Sequence, residues 1–181
     1  GKNYAIVGEN GSGKSTVIKL LCGLYFATEG KILINGQDIK KFNVVSIYSK
    51  IGCVFQEFVK YPLSIKENIA ISNIQEKENQ ALIKEVTKKV GLDQYIEKLP
   101  DKYDTQLKRE WTKGIELSGG QWQRVAVSRC FMKDFNVLIM DEPSASLDIM
   151  AEKQLYHNLQ KLNRNNLSVF VTHRYIDPDL I

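Results

Sequence analysis

The stretch Gly8-Glu9-Asn10-Gly11-Ser12-Gly13-Lys14-Ser15-Thr16 carries the densest chemistry in the chain. It has the form G-x-x-x-x-G-K-[ST], with a short β-prone run before it (Tyr4 to Val7) and a helical pattern after it. Glycines there let successive backbone N–H groups turn inward around phosphate oxygens, and the following helix directs its positive end at the same anion. Lys14 is placed to reach the β- and γ-phosphates of a nucleotide, and the Ser15 hydroxyl to ligate Mg²⁺. A second cluster closes an apolar run: Val137-Leu138-Ile139-Met140 ends in Asp141 and Glu142. Beside a phosphate loop, Asp141 would hold the metal and Glu142 would polarise an attacking water.

A third motif, Leu117-Ser118-Gly119-Gly120-Gln121, heads an amphipathic stretch running to Met132. It offers a second helix N-terminus that favours anions. It resembles the signature motif of the ATP-binding-cassette (ABC) ATPases. Ser118 stands 104 positions after Lys14 and 23 before Asp141, a spacing similar to that of transporter-type cassettes. Further residues match the family in order. Gln56 resembles the glutamine that contacts Mg²⁺ and the attacking water. Ala145-Ser146-Leu147-Asp148 resembles the loop whose Asp lines the dimer interface. His173, after Thr172, resembles the histidine that contacts the γ-phosphate. The resemblance implies ATP and Mg²⁺ as ligands, and head-to-tail pairing with a second cassette. Each ATP would then lie between the P-loop of one copy and Ser118–Gln121 of the other. It also implies a transmembrane domain, on the same or another chain, and a place on the cytoplasmic face of the membrane.

The run Ser64-Ile65-Lys66-Glu67-Asn68-Ile69 and the segment Thr105 to Gly114 are similar to exporter patterns. Gln56 to Tyr61, Trp111 and Gly120 to Arg124 look most like the cassettes of bacterial peptide exporters, lantibiotic exporters included. Only seven residues precede Gly8, so the family's adenine-stacking aromatic and first antiparallel strands are expected outside this chain. Asp179-Leu180-Ile181 follows His173 sooner than the family's closing segment would. A soluble ABC ATPase acting on ribosomes or DNA is the alternative.

These motifs need elements to hold them. The readable strands are Tyr4–Val7, Lys31–Ile34 before the turn pair Asn35-Gly36, Ile51–Phe55, Asn136–Met140 and Leu167–Val171. The readable helices are Lys14–Cys22, one capped by Ser64 and Glu67, Glu76–Val90 stopped by Gly91, Gly119–Met132 and Met150–Leu162. Trp122, Val125, Ala126 and Arg129 share one face of the helix after Ser118. Asp101–Glu116 reads as loop. Alternating strands and helices predict an α/β fold with a mainly parallel sheet, broken after Gln56 by a helical insertion. The resemblance makes this a RecA-like P-loop core, residues 1–56 and 119–181, with a helical subdomain at 57–118.

Composition agrees. The chain has 181 residues, 43% hydrophobic and 25% charged, enough apolar content for a substantial core. Net charge is +4, and residues 57–117 balance eleven basic against eleven acidic side chains, so no nucleic-acid partner is expected. No apolar run reaches the roughly 18 residues of a membrane span. Cys22, Cys53 and Cys130 are scattered, and the two histidines, His157 and His173, do not make a metal centre.

Overall fold

The computed structural model describes residues 2–108, 114–143, 157 and 166–173. Trp111, the Asp148 motif, the helix expected at 150–162 and the chain end fall outside them, apart from His157.

A four-stranded parallel sheet organises the molecule, in the order β1 (Asn3–Val7), β6 (Leu167–Thr172), β5 (Val137–Asp141), β4 (Ile51–Val54). Its register is level at the C-terminal edge. Val7 pairs with Thr172, Asp141 with Val171, and Val54 with Met140. Each strand therefore ends within a residue or two of its neighbour, and the next residues emerge on one edge. In open α/β sheets that edge is where ligands bind.

Side chains alternate across the sheet with period two. On β5, Leu138 and Met140 join one apolar cluster and Ile139 the other; on β6, Phe170 faces the first and Val169 and Val171 the second. The second face is covered by α1 (Lys14–Leu21) through Ile18, which is fully buried. The first is covered by α6 (Gly119–Phe131), which lies against β4. Gly52 makes that approach possible: a Cβ there would sit 3.3 Å from Cys130, Leu138 and Phe135. The helix is buried on more than one stripe, with Gln123, Val127, Ser128 and Cys130 enclosed as well as Trp122, Val125 and Ala126. Arg129, expected on the apolar face, is only half-buried.

Between β4 and α6 the chain forms α3 (Ile65–Ala70), α4 (Gln80–Lys89) and α5 (Asp93–Ile96). Ile65, Ile69, Val86 and Ile96 are fully buried and continue the first cluster. Each such side chain stabilises the fold by roughly 1.5–3 kcal/mol. The helix expected from Glu76 begins only at Gln80. Asn79 accepts from the Leu82 N–H and caps it there, which leaves Ile74–Glu76 as a 3₁₀ turn. Gly91 ends α4 at φ 69°. The loop expected over Asp101–Glu116 contains a short 3₁₀ helix, Lys102–Asp104, and Gln106 bridges to Ser64.

Two differences lie before β4. The strand expected at Lys31–Ile34 is only Leu33–Ile34 (β2), paired antiparallel with Gln37–Asp38 (β3). Asn35 and Gly36, at φ 49° and 81°, form the tight hairpin turn that their types favour. Val44–Lys50, where sequence reasoning assigned no element, is a helix (α2) capped by the Asn43 side chain on the Val45 N–H. Its β-branched start disguises it, and the cap decides the matter.

Candidate nucleotide site at the strand ends

The site begins with the loop between β1 and α1. Gly11 and Gly13 hold φ of 80° and 91°, a region costly for other L-residues. Gly8 is needed for a different reason: a Cβ there would come within 2.9 Å of the Ser12 hydroxyl. Gly13 precedes α1 and supplies no side-chain cap. The first-turn amides of α1 thus remain available to an external anion. Lys14 is buried, and its Nζ donates to the carbonyls of Gly8 and Glu9, both at 2.8 Å. An ammonium has three donors, so one remains beyond these two. The lysine therefore braces the loop as well as charging it.

A cavity of about 530 Å³ opens over this loop, lined by Asn10, Gly11, Gly13, Lys14, Ser15, Thr16, Gln56, Glu142 and His173. All nine were anticipated from sequence. They arrive from four places in the chain because four strand ends are level.

Glu142 is the hub of the lining residues outside the phosphate loop. It leaves β5 at φ 50°, a left-handed conformation that costs a non-glycine residue on the order of 1 kcal/mol. Its N–H donates to the Val171 carbonyl at 2.9 Å, which holds the turn against β6. The carboxylate then meets two partners. Gln56 Nε2 donates to Oε2 at 3.2 Å, and His173 Nδ1 lies 3.0 Å from Oε1. The glutamate side chain is 11% exposed and the imidazole 38%.

Hard oxygen donors suit Mg²⁺, which ordinarily takes one or two carboxylates and completes its shell with water and phosphate oxygens. The Ser15 hydroxyl and Gln56 lie on the cavity, and Gln56 uses its amide nitrogen on Glu142, leaving its oxygen for another partner. Asp141 is buried at the end of β5 and does not line the cavity itself. Among the described residues, no three His, Cys, Asp or Glu side chains could hold a metal by themselves. The donor set fits an ion that arrives with phosphate.

Of the other anticipated residues, Gly8, Glu9 and Ser12 do not line the cavity; the Gly8 and Glu9 carbonyls accept from Lys14 Nζ, and the Ser12 N–H donates to the Glu9 carbonyl at 3.2 Å. Ser118 to Gln121 lie elsewhere, at the head of α6. Ser118 Oγ accepts from the Gln121 N–H at 3.3 Å, and the Gln121 side chain accepts from the Ser118 N–H at 2.8 Å. They contribute nothing to the cavity wall. Sequence reasoning missed the left-handed turn at Glu142, which no residue type announces. It also missed a polar network centred on Asn68 and Arg129 in the segment that follows Gln56, each of which looks ordinary in isolation.

Residues 1–145 match the family model described as ABC transporter. The chain is 40% identical over 180 residues to the subtilin transport ATP-binding protein SpaT of Bacillus subtilis, covering 99% of this chain and 29% of that protein. It is 41% identical over 175 residues to the nisin transport ATP-binding protein NisT of Lactococcus lactis subsp. lactis, covering 96% and 29%. A solved bacterial Atm1-family ABC exporter with ATP bound superposes with a TM-score of 0.84 at 32% identity, over 95% of this chain and 30% of that one. The chain thus spans about three-tenths of the length of these relatives. With its P-loop fold and the family match over most of its length, the chain belongs to the ABC transporter family, as an ATP-binding domain.

Proposed function

We propose that this chain binds MgATP in the cavity at the strand ends and hydrolyses it to power export across a membrane. The observation that carries the reading is the Glu142 carboxylate, bridged by Gln56 and His173 in the cavity that the phosphate loop also lines. The first-turn amides of α1 and the free donor of Lys14 would hold the β- and γ-phosphates. Ser15, Gln56 and Asp141 would hold Mg²⁺, which supplies charge neutralisation on the phosphate oxygens. Glu142 would take a proton from water as the water oxygen bonds to the γ-phosphorus and the bond to the β–γ bridging oxygen breaks. His173, oriented through Nδ1 by Glu142, would present Nε2 to the γ-phosphate. Catalysis would rest on positioning and electrostatics more than on covalent chemistry.

Residues 57–118 would act as a helical subdomain on a core of residues 1–56 and 119–181. Ser118 to Gln121 would complete the site of a second cassette, with Asp148 at the dimer interface. A transmembrane domain, on this or another chain, would be the other partner; no helix among the described residues is long and apolar enough to cross a membrane. The chain would work on the cytoplasmic face. The two relatives named for subtilin and nisin transport support a peptide of lantibiotic type as cargo.

The test is Glu142→Gln. Removing a general base costs about 10²–10⁴-fold in rate, so turnover should collapse while ATP binding persists and an ATP-bound dimer accumulates on size exclusion. Undiminished turnover, with monomer only, would refute the assignment.

A further inference from the structure

Gln56 reaches Glu142 from a segment with no regular structure: no helix or strand occurs between Val54 and Ser64. The carbonyls there have no ladder to satisfy them, and something else must fix the backbone. Arg129, eleven residues into the stretch that begins at Ser118, does this. Its Nη1 donates to the Val59 carbonyl at 2.9 Å, its Nε to the Asn68 carbonyl at 3.0 Å, and its Nη2 to Asn68 Oδ1 at 2.9 Å. The guanidinium also lies over the Tyr61 ring, 5.2 Å from its centre.

Asn68 is fully buried and extends the same clamp. Its Nδ2 donates to the carbonyls of Tyr61, Leu63 and Ser64 at 3.0, 3.2 and 3.1 Å. The end of α6 is tied in turn to the residues that follow α3: Ser72 donates to the Arg129 carbonyl, and Asn73 Nδ2 to the Met132 carbonyl at 2.9 Å. Among the described residues no carboxylate lies within ion-pair distance of Arg129. Burial pulls its pKa below the ordinary arginine value. A partly desolvated charge with neutral partners is a poor way to gain stability. What a guanidinium supplies is geometry: a rigid planar fork of donors and a flat face to stack.

We propose that Arg129 is a positioning residue that fixes Gln56 against Glu142 by clamping the segment Val59–Tyr61 onto α6. The helix headed by Ser118 and the loop bearing Gln56 then move as one body. The inference rests on the roles given above to Gln56 and Glu142.

The experiment uses the full-length protein with Arg129→Lys, Gln56→Ala and the double variant, following kcat, KM for MgATP and thermal midpoint. Arg129→Lys keeps the charge but loses the fork, and should lower kcat about tenfold with KM changed by less than about twofold. The double variant should be no slower than Gln56→Ala alone, because Arg129 acts through Gln56. Tyr61→Leu removes only the stacked face and serves if Arg129→Lys does not fold. It should lower kcat by about twofold to threefold, and only when Gln56 is present. Losses that multiply in the double variant, or an Arg129→Lys enzyme with unchanged kcat, overturn the proposal while leaving Gln56 its role. Full turnover by Gln56→Ala instead removes the reading on which the proposal stands.

Discussion

Two helices of this domain begin beside glycines and both could attract an anion, yet their ends are built differently. At the head of α1, Gly13 caps nothing, and the amides of the first turn face a cavity. At the head of α6, Ser118 and Gln121 satisfy each other in a closed capping box. One end is left open to a ligand from outside; at the other, the Ser118 and Gln121 amides are already held by the helix's own side chains. The difference teaches where nucleotide binding starts. The open end should bind phosphate alone. The closed end should add its contribution only when a second copy brings a nucleotide to it.

Lys14→Ala is the most severe way to break this comparison. It removes the one buried cation of the open end, together with its brace on Gly8 and Glu9. ATP affinity by calorimetry should fall about 100-fold or more, since charge-assisted contacts each contribute about 1.5–3 kcal/mol and the loop loses its support as well. Ser118→Ala acts on the closed end. Affinity for ATP under monomeric conditions should stay within about twofold, while the ATP-dependent dimer is lost. Stability should drop by about 1 kcal/mol, as for a lost helix cap, readable in a urea titration. An equal loss of monomer affinity would erase the distinction between the two ends.

A smaller effect comes from a third helix end. Ser64 and Glu67 form the same box as Ser118 and Gln121, but with a carboxylate at the third position. Hydrogen bonds from the Ser64 backbone and hydroxyl, then Lys77, hold the Glu67 carboxyl down at about 2. A carboxyl depressed in the folded state contributes stability that is complete above its unfolded value, about 4.5, and is lost as pH falls towards 2. Glu67→Gln keeps the box and removes the charge. It should cost up to about 1 kcal/mol at pH 7, and the gap to the parent should close progressively below pH 4.5. A gap that is independent of pH would show that the charge adds nothing to this cap.

These ends also mark how far the sequence could be read. The glycine loop and the acidic strand end were legible because each motif is contiguous; Gln56 and His173 are single residues and were legible only through the family resemblance. Their convergence needed only strand ends in register, which an α/β pattern already implies. The capping box at Ser64 was legible for the same reason, since its partners stand three residues apart. The rest depends on tertiary context. The β2 strand shrank because only Leu33 and Ile34 find partners across the turn. The Glu76 helix start was overridden by the cap at Asn79. The left-handed Glu142 is held by a carbonyl of β6, nearly thirty residues away in sequence. Arg129 reads as one more polar residue on a helix until Val59, Tyr61 and Asn68 are folded around it.

Backbone hydrogen exchange with and without ATP, at a concentration that keeps the chain monomeric, tests the central claim most directly. The account predicts slowed exchange at Gly11 to Thr16 and unchanged exchange at Gly119 to Gln121. Protection at Gly119 to Gln121 without protection of the α1 head would contradict it.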